Sequence, residues 1–308
     1  MKPNNMDTDE CPVVAAQIEE QAGPSDSAAV HIDVAALSDR GKVRPKNEDH
    51  FLVVRFHRAL QTLLTNLPDG LVPDRTEEGG YGMVVADGMG GMAAGEVASQ
   101  LAIRTLINLV LATPDWVLKT GKPEIERVMQ RMDERYRRVS AALREEAQAD
   151  ARLSGMGTTM TLACNIGTDL VLAHVGDSRA YLVHNGELHR MTRDHTLLQE
   201  LVDREIVRPE HATTHPFRHV LTRYLGGEGG ELKAEVQSVS LADADQLLLC
   251  TDGLTDMVDD TTIGAILRSA ASANDACQQL VTLALQNGGK DNVTVVLARF
   301  HFCGEMNC

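Results

Sequence analysis

Five aspartates stand beside apolar runs that predict β-strands, and their carboxylates are the groups in this sequence best suited to chemistry. Asp87, Asp177 and Asp252 follow such runs, whereas Asp49 and Asp291 precede them. In an antiparallel sheet the end of one strand lies beside the start of its neighbour, so all five could meet at one edge. Oxygen ligands without paired histidines or cysteines suit Mg²⁺ or Mn²⁺, and two such ions would polarise a water into a nucleophile.

Each aspartate also has a simpler interpretation, because four of the five are adjacent to glycine or asparagine. The four dipeptides are Asp87-Gly88, Gly176-Asp177, Asp252-Gly253 and Asp291-Asn292. For any one of them a turn is the better interpretation, and Asp87-Gly88 is predicted to turn at the end of a strand. The repetition of the pattern favours a shared site, in which the repulsion between carboxylates would need cations for compensation.

The spacing of apolar residues along the sequence predicts strands and amphipathic helices around these acids. The predicted strands lie at 31–39, 49–56, 81–86, 246–250 and 292–300, with a meander over 158–192 that turns at Asn185-Gly186. Helices are predicted over 95–112 and about 123–149, with a further pair over 261–286. Residues 57–80 are predicted to be a long connection, and residues 194–230 a polar, helix-like, mobile flap.

Composition limits the class of function. The formal net charge of −15 argues against nucleic-acid binding through a basic face. No stretch approaches the roughly 20 apolar residues of a membrane helix, so we expect no membrane partner and a cytoplasmic protein. We expect one domain over 29–300, after a flexible leader over 1–28 and before a tail over 301–308. The tail cysteines lack a paired C-x₂-C, which favours an unstructured tail over a zinc site.

Six segments together resemble the metal-dependent protein serine/threonine phosphatases of the PP2C type, particularly the bacterial members. Each segment alone is a weak signal, but all six stand in the family's order between about Ala35 and Phe300. The segments are SDRGKVRPKNEDHF, VVADGMGGMAAGEVAS, SGMGTTMTLA, LAHVGDSRAYL, LLLCTDGLTDMV and GGKDNVTVVLARF. We therefore expect an α+β fold, with two antiparallel β-sheets packed as a central sandwich and α-helices on both outer faces.

The resemblance implies two ions of Mn²⁺ or Mg²⁺, and a third in some bacterial members. Asp87 would bridge the first two ions, and the Gly88 carbonyl oxygen would complete one coordination shell. Asp252 and Asp291 would ligate the second ion.

The remaining implied residues lie around these ligands. Asp49 and Glu48 match an acidic pair near the metal waters, with Glu48 acting through water. Asp177, together with Asp252, matches the looser third site. Arg44 matches the arginine that holds the substrate phosphate, and a guanidinium fork suits two phosphate oxygens.

The implied reaction is hydrolysis of phosphoserine and phosphothreonine in proteins by in-line attack of a metal-bridging hydroxide. Implied partners are phosphorylated proteins, including a bacterial Ser/Thr kinase and its substrates, and a monomer is expected. One position departs from the pattern, because some members have a histidine after the Asp-Gly where this sequence has Met89. Methionine cannot donate a proton, so the general acid is unassigned, and His195, His211, His215 and His219 in the flap are not distinguishable by sequence.

Two other functions are compatible with the same segments. One is a silent regulatory module, which typically loses metal acids that are all present here. The other is a hydrolase of small phosphorylated molecules. Residues 194–230 would distinguish it from a protein phosphatase, because a flap that contacts a peptide differs from one that closes over a small pocket. Among neighbouring residues, Arg179 is expected in a structural salt bridge. Asn292 is expected to cap or orient the loop after Asp291, and Thr158 and Thr159 are expected to be strand residues.

Overall fold

The computed structural model describes residues 30–64, 67, 71, 75–90, 94–112, 122–208, 211, 215–227 and 232–302. The predicted leader over 1–28 lies outside the described residues, as does the predicted tail from residue 303 onward. The last strand continues to Phe302, two residues beyond the predicted end of the domain.

Two antiparallel sheets form the centre of the described structure. The first has the order β1 (Val30–Asp39), β11 (Val293–Phe302), β10 (Gln246–Cys250), β7 (Arg179–His184) and β8 (Glu187–Arg190). The second has the order β2 (Asp49–Gln61), β3 (Arg75–Met89), β5 (Met160–Ile166), β6 (Asp169–Val175) and β9 (Glu235–Ser240), with β4 (Gly157–Thr158) paired to the end of β3.

Helices cover the outer face of each sheet. The helices are α1 (Ala94–Ala112), α2 (Lys122–Ala149), α3 (Leu197–Asp203), α4 (Asp252–Thr255), α5 (Asp260–Ser269) and α6 (Ala273–Gln286). Helices α1 and α2 pack on the second sheet, and α5 and α6 pack on the first. The predicted positions of α1, α2, α5 and α6 are confirmed to within one residue at each end.

The period-two alternation of the strands explains this layering, since successive side chains point to opposite faces. Met83 and Val85 of β3 are buried between the two sheets, whereas Val84 packs against α1 and α2. In β10, Leu247 lies between the sheets, whereas Leu248 faces α5 and α6. Because both faces are covered, the predicted α+β sandwich with outer helices is confirmed.

The predicted connection over 57–80 is wrong at both ends, because β2 and β3 form one long hairpin through most of it. Their pairing runs from Asp49 opposite Asp87 to Gln61 opposite Arg75. The outer part of this hairpin contains polar and charged residues, so the alternation that marks a half-buried strand is missing there. Pairing between the two arms extends both strands into this part of the structure, which the apolar pattern alone does not predict.

The region over 194–230 is much less helical than predicted, since α3 is its one α-helix within the described residues. Isolated bridges join Thr196 to Leu221 and Thr158 to Leu225. The predicted hairpin between β7 and β8 is confirmed, with Asn185 at φ +51° and Gly186 at φ +79°, as a two-residue type I′ turn requires. Within the described ranges, no helix combines the length and apolar character needed to cross a membrane.

Leu106 and Leu111 of α1 provide a matched test of the helix-to-sheet core. Leu106 is 1% exposed and Leu111 is 77% exposed. We expect Leu106→Ala to lower the free energy of unfolding by about 2–5 kcal/mol, because a buried side chain is lost and a cavity remains. Leu111→Ala should change it by less than about 0.5 kcal/mol. Urea denaturation would measure both, and equal losses would contradict this packing.

Candidate metal centre

The β2–β3 hairpin brings the first two predicted acids together. Asp49 is the first residue of β2 and pairs directly with Asp87 of β3. The predicted turn at Asp87-Gly88 is wrong, because β3 continues through both residues and Gly88 pairs with Thr158 of β4. Two acids that are distant in sequence are therefore neighbours across one ladder.

Asp49 is the most enclosed of the acids. Its Oδ2 accepts hydrogen bonds from the Thr251 and Thr294 hydroxyls, at 2.8 Å each. Its Oδ1 is buried with no hydrogen-bond partner. Burial raises the pKa of Asp49 to about 7, even though the two hydroxyls act in the opposite direction.

Thr251 and Thr294 also connect the segments that contain Asp252 and Asp291. Thr251 directly precedes Asp252, which is the first residue of α4, and the Thr251 N–H donates to the Thr294 carbonyl oxygen at 3.0 Å. Asp291 lies in the loop that leads into β11. These segments touch at Gly253, where a Cβ atom would lie 1.9 Å from the Asn292 carbonyl oxygen. Glycine is therefore required for Asp252 and Asp291 to approach each other.

Asn292 holds the loop over 40–48 against the centre. Its Nδ2 donates to the Arg40 and Lys46 carbonyl oxygens at 2.8 Å each, and its Oδ1 accepts from the Glu48 N–H at 2.8 Å. The sequence predicts that Asn292 caps or orients the loop after Asp291. The contacts instead place its side chain on the earlier loop, so Asn292 positions Glu48.

Close glycine contacts bring the start of α1 to Glu48. A Cβ atom on Gly88 would lie 2.1 Å from the Gly95 carbonyl oxygen, and one on Gly95 would lie 2.8 Å from the Glu48 carboxyl carbon. The Glu48 carbonyl oxygen accepts from Gly88 N–H at 3.2 Å and from the Ser99 hydroxyl at 2.6 Å. Burial raises the pKa of the Glu48 side chain.

Arg44 lies at the rim of the centre. Its Nη2 is 2.5 Å from Asp291 Oδ2, and its side chain is 52% exposed. This hydrogen bond is the largest cause of the raised pKa of Arg44, with further contributions from the charges of Asp87 and Asp252. A guanidinium in this position is close to the acids and still accessible to a ligand from solvent.

A second group at the centre includes a residue from the predicted flap. One ligand atom each from Asp177, His219 and Asp252 lies within 4.8 Å of the other two. His219 Nδ1 is 3.5 Å from Asp252 Oδ2, and its Nε2 is 3.3 Å from Asp256 Oδ2. The local sequence of His219 does not distinguish it from the other three histidines of the predicted flap.

The main chain around Asp87 and the loop around Asp177 are joined by hydroxyl groups. The Thr158 hydroxyl donates to the Asp87 carbonyl oxygen at 2.8 Å, and the Asp87 N–H donates to the Thr159 hydroxyl at 3.0 Å. The Thr159 hydroxyl also bonds Ser178 at 2.8 Å. The predicted salt bridge of Arg179 is confirmed, and its partner is Asp194 at 2.8 Å.

The predicted acids therefore share one electrostatic environment. Burial raises the pKa of Asp87 well above its usual value, and the other four aspartates raise it further: Asp49, Asp252, Asp177 and Asp291. Burial and the charge of Asp252 likewise raise the pKa of Asp177.

These observations fit divalent cations. Asp49 Oδ1 and Asp252 Oδ1 are buried oxygens without hydrogen-bond partners, a costly arrangement for acceptors that remain unpaired. Cations would satisfy both oxygens and offset the repulsion between the carboxylates. The ligand atoms of the five aspartates are all oxygens, which suits Mg²⁺ or Mn²⁺.

The structure has two features: a sandwich of two antiparallel sheets with outer helices, and a cluster of carboxylates at one end of both sheets. Together they define a class of α+β proteins that bind divalent cations at that end. A family model described as "Protein phosphatase 2C" matches residues 69–288. The chain belongs to the protein phosphatase 2C family, which confirms the resemblance in the sequence.

Individual relatives support the same assignment. The chain is 38% identical to serine/threonine protein phosphatase PstP of Mycobacterium tuberculosis over 86% of its own length and 44% of the relative's. It is 35% identical to serine/threonine phosphatase stp of Listeria welshimeri, over 84% of this chain and 92% of that protein. The crystal structure of the PstP catalytic domain in complex with two manganese ions is similar, with a TM-score of 0.69, 34% identity, and coverage of 89% and 100% of the two chains.

Asp87→Asn tests the repulsion within the centre. Because burial and neighbouring charges raise the folded-state pKa of Asp87, its ionisation destabilises the metal-free fold as pH rises above the unfolded value of about 4. We expect the variant to melt at a higher temperature than wild type at pH 8 in chelator, with a difference that shrinks toward pH 5.

The measurement is a thermal melt across pH, with and without Mn²⁺. Wild type should gain more from Mn²⁺ than the variant, because the variant has lost an anionic ligand. Glu187→Gln, at the exposed turn between β7 and β8, is the matched control and should change neither result. A variant less stable than wild type at pH 8 in chelator would show that Asp87 is not under electrostatic strain.

Proposed function

We propose that the protein hydrolyses phosphoserine and phosphothreonine in other proteins in a metal-dependent reaction. The main support is the centre itself, where five aspartates converge and two of their buried oxygens have no hydrogen-bond partner. The chain spans 44% of the length of the PstP relative, so the proposal is made for the activity of this domain.

The metal ligands we propose are those that the sequence predicted, with one addition. Two ions of Mn²⁺ or Mg²⁺ would be held by Asp87, the Gly88 carbonyl oxygen, Asp49, Asp252 and Asp291, with Glu48 acting through water. A third would be held by Asp177, Asp252 and His219, where His219 is the addition. Bound ions of this kind supply positive charge and lower the pKa of water enough to provide a nucleophile at neutral pH.

Arg44 is the residue we propose for binding the substrate phosphate. A guanidinium presents paired N–H donors that match two phosphate oxygens. Asp291 holds Arg44 at the rim through a 2.5 Å hydrogen bond, so little ordering of the side chain is needed when substrate arrives. This arrangement orients the phosphoryl group toward the acids and offsets its charge.

The wider context is proposed on chemical grounds. A phosphorylated protein substrate requires a protein kinase, so we propose that the enzyme opposes a Ser/Thr kinase and acts on that kinase and its substrates. We propose further that it is a monomer in the cytoplasm. The names of the relatives as serine/threonine phosphatases support the choice of phosphorylated substrate on which this context rests.

Purified protein with Mn²⁺ should release phosphate from p-nitrophenyl phosphate and from a phosphothreonine peptide, and chelator should abolish the release. Asp87→Ala should remove the activity and leave the fold intact, because it deletes a carboxylate that would bridge two ions. Phosphate release and circular dichroism measure the two effects.

Glu187→Ala, which removes an exposed acid from the β7–β8 turn, should retain full activity. Activity that survives chelator or the loss of Asp87 would exclude the two-metal reaction. A fully folded, metal-loaded protein without activity on either substrate would favour the silent regulatory module. A preference for small esters over the peptide would favour a small-molecule hydrolase.

Arg44→Ala should lower kcat/KM for the phosphopeptide about tenfold to a hundredfold, since hydrogen bonds to charged groups contribute about 1.5–3 kcal/mol. Arg44→Lys should recover part of the loss, because it restores the charge without the paired donors. Steady-state kinetics at saturating Mn²⁺ separates the effects on KM and kcat.

The control for Arg44 is Arg152→Ala, which removes another arginine that is paired with an aspartate but is 85% exposed. It should leave the kinetics unchanged. Equal kcat/KM for wild type and Arg44→Ala would remove Arg44 from the substrate site.

A further inference from the structure

His195 is buried in the segment that begins the predicted flap, and it contacts the loop that contains Asp177. Its side chain is 0% exposed. The Gly176 N–H donates to His195 Nδ1 at 3.1 Å, and the His195 N–H donates to the Gly176 carbonyl oxygen at 2.7 Å. Two reciprocal bonds therefore fix the residue that directly precedes Asp177.

The main chain around His195 also contacts the segment that follows His219. The Thr222 N–H donates to the His195 carbonyl oxygen at 2.8 Å, and the Leu197 N–H donates to the Val220 carbonyl oxygen at 2.7 Å. His219 directly precedes Val220. His195 thus lies between the two segments that contain Asp177 and His219.

The contacts define the chemical form of the imidazole. Because Nδ1 accepts a hydrogen bond from a backbone N–H, the neutral ring has its proton on Nε2. This nitrogen lies 3.5 Å from Glu235 Oε2, and the ring of His174 packs at a centroid distance of 4.8 Å. Burial lowers the pKa of His195, which favours the neutral ring that these contacts require.

Separate contacts hold the residues that directly precede His195 next to the Asp177 loop without using the His195 imidazole. Arg179 donates to both carboxylate oxygens of Asp194, at 3.1 Å and 2.8 Å. His174 Nε2 also lies 3.2 Å from the Arg193 carbonyl oxygen. Variants of His195 are therefore expected to fold, so that a local effect is measurable.

We propose that His195 is a positioning residue that sets the geometry of Asp177, His219 and Asp252 by joining the Asp177 loop to the His219 segment. The inference rests on the proposed metal-dependent function, because it concerns the third ion site of that function. Groups that orient metal ligands without touching the ion typically change metal affinity or activity by about 10-fold to 100-fold when they are replaced.

The test is Mn²⁺ titration of the full chain by calorimetry, comparing wild type, His195→Phe and His195→Asn. His195→Phe keeps a ring but has no acceptor for the Gly176 N–H, and it should weaken the weakest Mn²⁺ site about 10-fold to 100-fold. His195→Asn retains an acceptor near the Nδ1 position and should recover much of this affinity. His189→Phe, at an exposed position of β8, is the control and should match wild type.

A double variant with Asp177→Ala distinguishes a positioning role of His195 from a general loss of stability. In an Asp177→Ala background, His195→Phe should cause no further loss of Mn²⁺ affinity, because the site is already incomplete. Unchanged affinity in His195→Phe, equal losses in the Phe and Asn variants, or additive losses with Asp177→Ala would each overturn the inference.

Amide hydrogen exchange of wild type provides a test that needs no variant. The Gly176 and Thr222 amides should exchange slowly, and rapid exchange at Gly176 would overturn the inference.

A wild-type chain that binds no Mn²⁺ and releases no phosphate would instead contradict the proposed function, and with it this inference. Normal Mn²⁺-dependent hydrolysis with no effect of His195→Phe on affinity would overturn the inference alone.

Discussion

Repulsion between carboxylates held close together is the constraint on which the rest of this structure depends. Asp49 and Asp87 face each other across one ladder, and three further aspartates act on Asp87. The chain offsets this repulsion only in part, through two hydroxyls on one oxygen of Asp49 and through Arg44 at the rim. Bound cations would complete the compensation, which would link metal binding to the stability of the fold.

Bringing the acids together requires the backbone of several elements to approach more closely than ordinary side chains allow. Gly88 and Gly253 each occupy positions where a Cβ atom would overlap a carbonyl oxygen. The Asn292 side chain forms hydrogen bonds with three main-chain groups in the loop over 40–48. The centre is therefore built mainly by backbone contacts, and the two sheets provide the rigid edges on which these contacts are placed.

The sequence was sufficient to predict most of the strands, the four longer outer helices and the convergence of the five aspartates, because burial on alternate faces leaves a clear pattern and the acids stand at the ends of that pattern. It did not predict β9, Glu235–Ser240. It also did not predict the outer hairpin of β2 and β3, because the sequence of its two paired arms lacks the apolar alternation that indicates a strand. The predicted turn at Asp87-Gly88 is wrong, since its partner strand β4 has only two residues and leaves little pattern in the sequence. The sequence around His219 does not indicate its role, because its proximity to Asp252 arises from the tertiary structure and not from a local motif.

The pairing of β1 with β11 determines where additional segments can be attached. Val30 and Phe302 are paired at one end of this ladder, and Asp39 pairs with Val293 at the other end, next to Asp291. Nine residue steps separate the two ends, or about 30 Å at the usual rise of a strand. Val30 and Phe302 therefore lie side by side at the end of this ladder that is opposite to the acids, so the positions at which further segments attach are separated from the end that a substrate would approach.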